Sequence, residues 1–377
     1  MANKINILKH ILIAFVLVFT TSTIFASEPT ASANHNPHST TSTVEKFNAG
    51  KMIMEHVSDA HDWHLWGRTA IPLPVIIKTD KGFDFFSSSK FEHGHATVKG
   101  NYNYKLEEGS IVIVDDAGVV NEEASSKITD FSITKNVTSM FITMLLMLWV
   151  FISVAKAYTK NKGKAPKGLQ SFVEPIIMFV RDDLAKPSIG EKHYQRFLPF
   201  LLTVFFFILF SNYIGLIPVI GVNLTGSISV AMVLAGFSLI ITFVIANKHY
   251  WHHIFAMPGV PIPVLIILTP IEILGLFLRP FVLMIRLFAN ITAGHIIALA
   301  FFSLIFIFGE MNTGLGLGVS VLTLVFTVFM TCLELLVAFL QAYVFTLLTA
   351  IYFGAAVDEG HDVHNHVDDH KPAVAHH

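Results

Sequence analysis

Seven side chains bearing carboxylate, guanidinium, imidazole or amide groups interrupt two otherwise apolar stretches of the chain. Glu272, Arg279, Arg286, Asn290 and His295 lie in the first, residues 270–308, and Glu334 and Gln341 lie in the second, residues 316–354. Their spacing is helical. Glu272, Arg279 and Arg286 recur every seven residues, and at about 100° per residue they share one helix face. Asn290 sits about 40° round from Arg286 on that same side. His295, nine residues past Arg286, points to the opposite side, towards a packed neighbour, and Glu334 and Gln341 again share a face. An arginine deep in an apolar helix costs about 2.5–3.5 kcal/mol on insertion scales, so it needs a partner, a water-filled cavity or a job. Glu272 and Arg279 are near a helix end, where long side chains reach water, so anchoring and function compete there. Arg286 is about two turns further in. It is either half of a buried ion pair or a functional charge, and the only carboxylate available to it, Glu334, is better placed for His295. A histidine facing a carboxyl across two helices can relay protons, because imidazole titrates near neutrality. The same pair could instead only fix helix register.

The elements that must position these residues follow from composition. The chain has 377 residues, 53% hydrophobic and 14% charged, against about 25% charged in an ordinary soluble domain. Mean hydropathy is +0.61. One soluble core cannot absorb that much apolar surface, so an integral membrane protein remains. A net charge of -2 leaves no basic field for nucleic acid. Cys332 is the single cysteine, which excludes an intrachain disulfide and a cysteine-built metal site. No phosphate-binding glycine loop and no HExxH motif occurs, so nothing here hydrolyses a nucleotide.

Residues 1–27 have Lys4 and Lys9 before an apolar run that ends in small residues, the layout of a signal peptide, with a true first membrane helix as the alternative. Residues 28–50 read as a polar linker. Residues 51–130 carry short β-type runs, Val75–Ile77 and Ser110–Val114, and a turn at Asp80-Lys81-Gly82, which predicts a small, β-rich exported domain. Within it His56, His61 and His64, with Asp59 and Asp62, could bind a metal but read better as a solvated surface. Spans are predicted at about 137–155, 197–221 and 228–246. Lys156, Lys160, Lys162, Lys164 and Lys167 follow the first span and mark its cytoplasmic end. Around Phe172–Arg181 an amphipathic stretch is expected to lie along the interface. Residues 254–268, broken by Pro258, Pro261 and Pro263, read as interfacial or re-entrant.

The last third predicts a hairpin of about 270–308 and 316–354, joined by a loop from Gly309 to Gly318. Val319–Phe353 contains no Gly or Pro and would be about 52 Å long as a helix. Fitting it into about 30 Å of hydrocarbon needs a steep tilt and a large membrane partner to lie against. Two kinked, upright spans are the alternative. The expected fold class is therefore an all-α polytopic membrane protein with a long, steeply inclined helical hairpin and a small β-rich N-terminal domain. The tail 358–377, with His361, His364, His366 and His370, reads as a polar end that would chelate metal weakly at most.

The run Arg279-Pro280-Phe-Val-Leu-Met-Ile-Arg286-Leu-Phe-Ala-Asn290-Ile-Thr-Ala-Gly294-His295 resembles the signature of the a subunit of F-type ATP synthases, in the long bacterial form that carries a signal peptide. Glu334, Gln341-Ala-Tyr-Val-Phe and Ser211-Asn212-Tyr-Ile-Gly-Leu-Ile-Pro218 resemble two further parts of that family. The likeness covers about 137–355. It implies that Arg286 is the family's essential arginine, that Asn290 and Gln341 are half-channel positions, and that Glu272 and Arg279 are the cytoplasmic-side charges. His295 and Glu334 look exchanged relative to many bacterial members, as expected if the two must touch. Implied partners are a ring of c subunits, the b subunits of the peripheral stalk, the F1 sector indirectly, and the lipid bilayer. The implied location is the cell inner membrane, with the N-terminal region periplasmic and the C-terminus cytoplasmic. No cofactor, metal or catalytic site of its own is implied. The implied activity is proton translocation coupled to ATP synthesis, with a secondary transporter or a structural membrane scaffold as the other readings.

Overall fold

The structure, a computed structural model, describes residues 50–358 apart from 51–52, 54–57, 67–68, 95, 108, 117, 218–221, 223, 256, 258–259 and 312. The expected signal peptide, the linker before Gly50, His56, Pro218, Pro258 and the His-rich tail after Asp358 lie outside the described residues.

Residues 62–130 form three small antiparallel sheets. The first pairs β1 (Asp62–Trp66) with β2 (Thr69–Pro72). The second has β3 (Pro74–Thr79) between β4 (Gly82–Ser87) and β8 (Thr129–Asp130). The third has β6 (Asn103–Glu107) between β5 (Val98–Lys99) and β7 (Ser110–Val114). A short helix α1 (Glu122–Ser125), capped by Asn121, precedes β8. Alternation decides the core: Val75 and Ile77 of β3 point inward with Phe91, Val98, Tyr104, Ile111 and Ile113. The β3–β4 turn needs Gly82, whose φ is 129°. His61 departs from the expectation of a solvated surface. It is 6% exposed, and its Nε2 lies 2.7 Å from Asp130 Oδ2. Burial works to raise the Asp130 carboxyl, but hydrogen bonds from His61 and Ser132 outweigh it and hold the group below its ordinary value.

Among the described residues, five helices are long and apolar enough to cross a membrane. They are α2 (Lys135–Lys160), α5 (Tyr194–Gly215), α6 (Ile228–Ile245), α8 (Ile262–Met311) and α9 (Thr313–Val357). Shorter helices α3 (Leu169–Phe179), α4 (Lys186–Ile189) and α7 (Lys248–Phe255) connect them. α3 runs into a π-helical turn, Val180–Ala185, where Asp182 bridges Arg181 and Lys186 at 2.8 and 2.9 Å. α5 is the centre of the bundle: 56% of its most apolar window is buried, against 6% for α8. Leu201, Phe205 and Ile208 of α5 share one buried cluster with Phe345, Ala350 and Phe353 of α9 and with Leu283 and Leu287 of α8. The C-terminal end of α9 is locked by closeness, since the Ser188 carbonyl abuts Gly354 where any Cβ would stand.

The hairpin is longer than its punctuation suggests. α8 holds 50 residues and α9 holds 45, about 75 and 68 Å at 1.5 Å per residue. The expected break at 254–268 gives way to α7 and then to the first turns of α8. Pro261 and Pro263 begin the helix instead of ending it. The Pro261 carbonyl accepts from the amides of Val264 and Leu265 at 3.0 and 3.1 Å, and proline is tolerated in a first turn whose amides have no helical partner. The Gly309–Gly318 stretch is likewise helical except at 312, outside the described residues. Glycine in a helix costs about 1 kcal/mol, less than leaving backbone groups unpaired in an apolar setting. α5 ends at Gly215, short of the expected 221, because the chain turns back there. The Val222 carbonyl lies 2.7 Å from where a Cβ on Gly215 would be.

Candidate functional site: a polar seam between the hairpin helices

The polar residues of the hairpin fall into three groups along α8. Furthest from the helix turn, Arg279 Nη2 lies 3.1 Å from Glu272 Oε1, with both side chains partly exposed. The seven-residue spacing puts them two turns apart on one face, close enough for these long side chains to meet. The Arg279 guanidinium also stands 5.9 Å from the Tyr352 ring centre. Beside it is a narrow recess of about 10 Å³, lined among others by Ser238, Thr242, Tyr250 and Tyr352. Ser238 Oγ donates to Thr349 Oγ1 at 2.9 Å, tying α6 to α9 at this level.

Arg286, on the same face seven residues on, is different. It is exposed, and among the described residues it forms no ion pair. Glu334, the only carboxylate of the second hairpin helix, lies elsewhere, on the recess described next. An uncompensated guanidinium on an apolar surface is costly.

The third group lies between α5, α8 and α9. A narrow recess of about 10 Å³, room for about one water molecule, is lined by Asn212, Leu216, Asn290, Ile291, His295, Glu334, Val337 and Ala338. His295 and Glu334 thus come to one cavity from opposite hairpin helices. Asn290 Nδ2 donates to Gln341 Oε1 at 3.0 Å, bridging the same two helices one step nearer Arg286. Gln341 is 2% exposed, and its Nε2 has no partner among the described residues. Such an orphan donor suits a site that takes up water or another acceptor.

Several residues here escaped the reading from spacing. Gly294 lets the Glu334 side chain lie on the α8 backbone, for a Cβ there would stand 2.5 Å from Glu334 Oε1. A glycine inside a helix was the available signal. Asn212 accepts from Thr225 Oγ1 at 2.5 Å and donates to the Ala338 carbonyl at 3.2 Å. Thr292 Oγ1 donates to the Gly226 carbonyl at 3.2 Å. No periodicity reports these, because residues 222–227 reach the seam only through the turn after α5.

A profile of the family described as ATP synthase A chain matches residues 137–354. A domain of unknown function (DUF8433) matches residues 52–131. ATP synthase subunit a of Chloroherpeton thalassium is 41% identical over 248 residues, 64% of this chain and 72% of that protein. ATP synthase subunit a 2 of Chlorobaculum tepidum is 44% identical over 244 residues, 62% and 66% of the two. ATP synthase subunit a of an Anaeromyxobacter species is 34% identical over 331 residues, 85% of this chain and 73% of its own length.

Proposed function

The chain belongs to the ATP synthase A chain family, and from that premise we propose that the polar seam is the proton path of the membrane sector. The chain is the stationary subunit, set in the cell inner membrane with the N-terminal region periplasmic and the C-terminus cytoplasmic. The hairpin lies steeply inclined against a ring of c subunits, each bearing one membrane-embedded carboxyl. The b subunits of the peripheral stalk hold it against rotation, and the F1 sector is reached through them.

Protons enter through the recess at His295 and Glu334, pass Asn290 and Gln341, and neutralise a ring carboxylate. The neutral acid then faces lipid without the cost of a bare charge. After nearly a full turn the carboxyl meets the second recess, near Arg279 and Glu272, and releases its proton. Arg286 stands between the two recesses. Its fixed charge favours the ionised form of each arriving carboxyl, and it bars protons from passing straight from one recess to the other. Arginine suits this because the guanidinium does not give up its own proton. A 100 mV potential yields only about 2.3 kcal/mol per charge, so several protons must move per ATP and a multi-site ring is required.

The observation that carries this reading is the exposed Arg286, without a carboxylate partner among the described residues, beside an Arg279 that has one. The test is Arg286→Lys in membranes containing the whole synthase. Proton-driven ATP synthesis is expected to fall at least about 100-fold, with the subunit still present in normal amount because the two cations have similar insertion costs. Normal synthesis in that variant would refute the reading. Synthesis that requires Na⁺ would replace the proton as the coupling ion.

A further inference from the structure

The β-rich domain is joined to the membrane helices in two places. At one, its edges are stitched to the start of α2. The Lys135 amide donates to the Ala60 carbonyl at 2.9 Å, and the Asn136 amide donates to Asp59 Oδ1 at 3.1 Å. A carboxylate at a helix N-terminus is favourably placed. The buried His61–Asp130 contact closes the same corner from the two ends of the domain. At the other place, Trp63 of β1 and Leu73, which follows β2, form a buried cluster with Val222 and Leu224, packed by Met140, Phe207 and Val230. Leu73 is itself pinned to the domain, since its amide and carbonyl both bond Ser88 at 2.9 Å.

Val222 and Leu224 are in the returning segment that supplies the seam. Next to them Thr225 bonds Asn212, which lines the recess with His295 and Glu334. Gly226 receives the hydroxyl of Thr292, three residues before His295. The Val222 carbonyl presses on Gly215, whose own Cβ position would be 3.8 Å from His295 Nε2. A contiguous chain of contacts therefore runs from Trp63 to the walls of the recess.

We propose that the β-rich domain is a positioning element for the proton path: Trp63 and Leu73 hold residues 222–226 in register, so that Thr225 and Gly226 keep the Asn212 and His295 side of the recess in place. Trp63 and Leu73 are positioning residues, acting through Thr225. The inference rests on the reading of the recess as a proton path. It gives a role to a domain that the membrane chemistry alone does not require. Packing of this kind is bistable and not elastic, so loosening it by about 1 Å is expected to lower transfer sharply.

The experiment measures passive proton flow, driven by an imposed potential, through membranes that contain the full-length chain in its assembled complex with the catalytic head removed. Trp63→Ala should lower flow about tenfold, and Trp63→Phe, which refills the contact, should restore most of it. Thr225→Val should lower flow by a similar factor. The double variant Trp63→Ala with Thr225→Val should be no worse than either single, because both act at one link. Unchanged flow in Trp63→Ala, or losses that multiply in the double variant, would overturn the inference. Should Trp63→Ala reduce the amount of subunit in the membrane, Leu73→Ala carries the same cycle with a smaller deletion. Proton-driven ATP synthesis by Arg286→Lys in the intact complex, measured alongside, separates the two claims. Synthesis that survives it overturns the proton-path reading itself. Synthesis lost there, with passive flow untouched by Trp63→Ala, overturns only the role of the domain.

Discussion

Arg279 and Arg286 are the same residue type on the same face of the same helix, two turns apart, yet the chain treats them oppositely. Arg279 has Glu272 at 3.1 Å and a tyrosine ring nearby. Arg286 has no carboxylate partner among the described residues and is exposed on a helix whose apolar window is only 6% buried. The proposed role of Arg286 rests on that difference: a charge without a carboxylate partner on an apolar face is costly, and a passing carboxyl would compensate it.

The comparison is broken most severely by making Arg286 resemble Arg279. Val282 is four residues before Arg286 and exposed, so Val282→Glu places a carboxylate at helical pairing distance. Proton-driven ATP synthesis should fall at least about 100-fold, close to the loss expected for Arg286→Lys. Synthesis at the normal rate would mean that Arg286 needs no free charge. Next in size is the His295 and Glu334 pair. Each of His295→Glu and Glu334→His alone should cost about 10- to 100-fold in proton flow, and the double exchange should recover part of it. Losses that simply multiply would tell against a shared role. Gly294→Ala drives a methyl into the Glu334 side chain. About a tenfold fall in flow is expected, with a stability cost of about 1–3 kcal/mol from overpacking, read by thermal inactivation of the assembled complex. Smallest is Arg279→Ala. Both partners of that pair are partly exposed, so stability should change by about 1 kcal/mol or less and synthesis only a few-fold. A loss as large as that of Arg286→Lys would erase the distinction between the two arginines.

How much of this was legible beforehand varies with the physics of each feature. Seven-residue spacing along one helix anticipated that Glu272 and Arg279 share a face, because a helix carries its own geometry. The same angular argument put His295 on the side of the second hairpin helix. It could not pair Asn290 with Gln341, since that bond depends on the relative shift of two helices. Prolines 261 and 263 misled, because proline both stops and starts helices, and only its place relative to the first helical amide decides which. The glycines between 309 and 318 misled for a related reason: a weak local preference lost to the demand that backbone groups stay paired. His61 looked like part of a wet histidine-rich surface until its carboxylate partner arrived from the other end of the domain, 69 residues away.

Composition and periodicity alone determined that this chain lives in a membrane, that its polar groups are arranged in helical register, and which few of them are too expensive to be incidental. Those are properties of segments, and a segment's hydropathy and helical pitch do not wait for the rest of the fold. The tertiary structure decided which arginine is satisfied and which is left open, and that Asn212, Thr225 and Gly294 shape the recess. It also decided that the β-rich domain grips the segment beside it. Each of these depends on groups distant in the chain meeting within hydrogen-bond or van der Waals reach, and only packing brings such groups together.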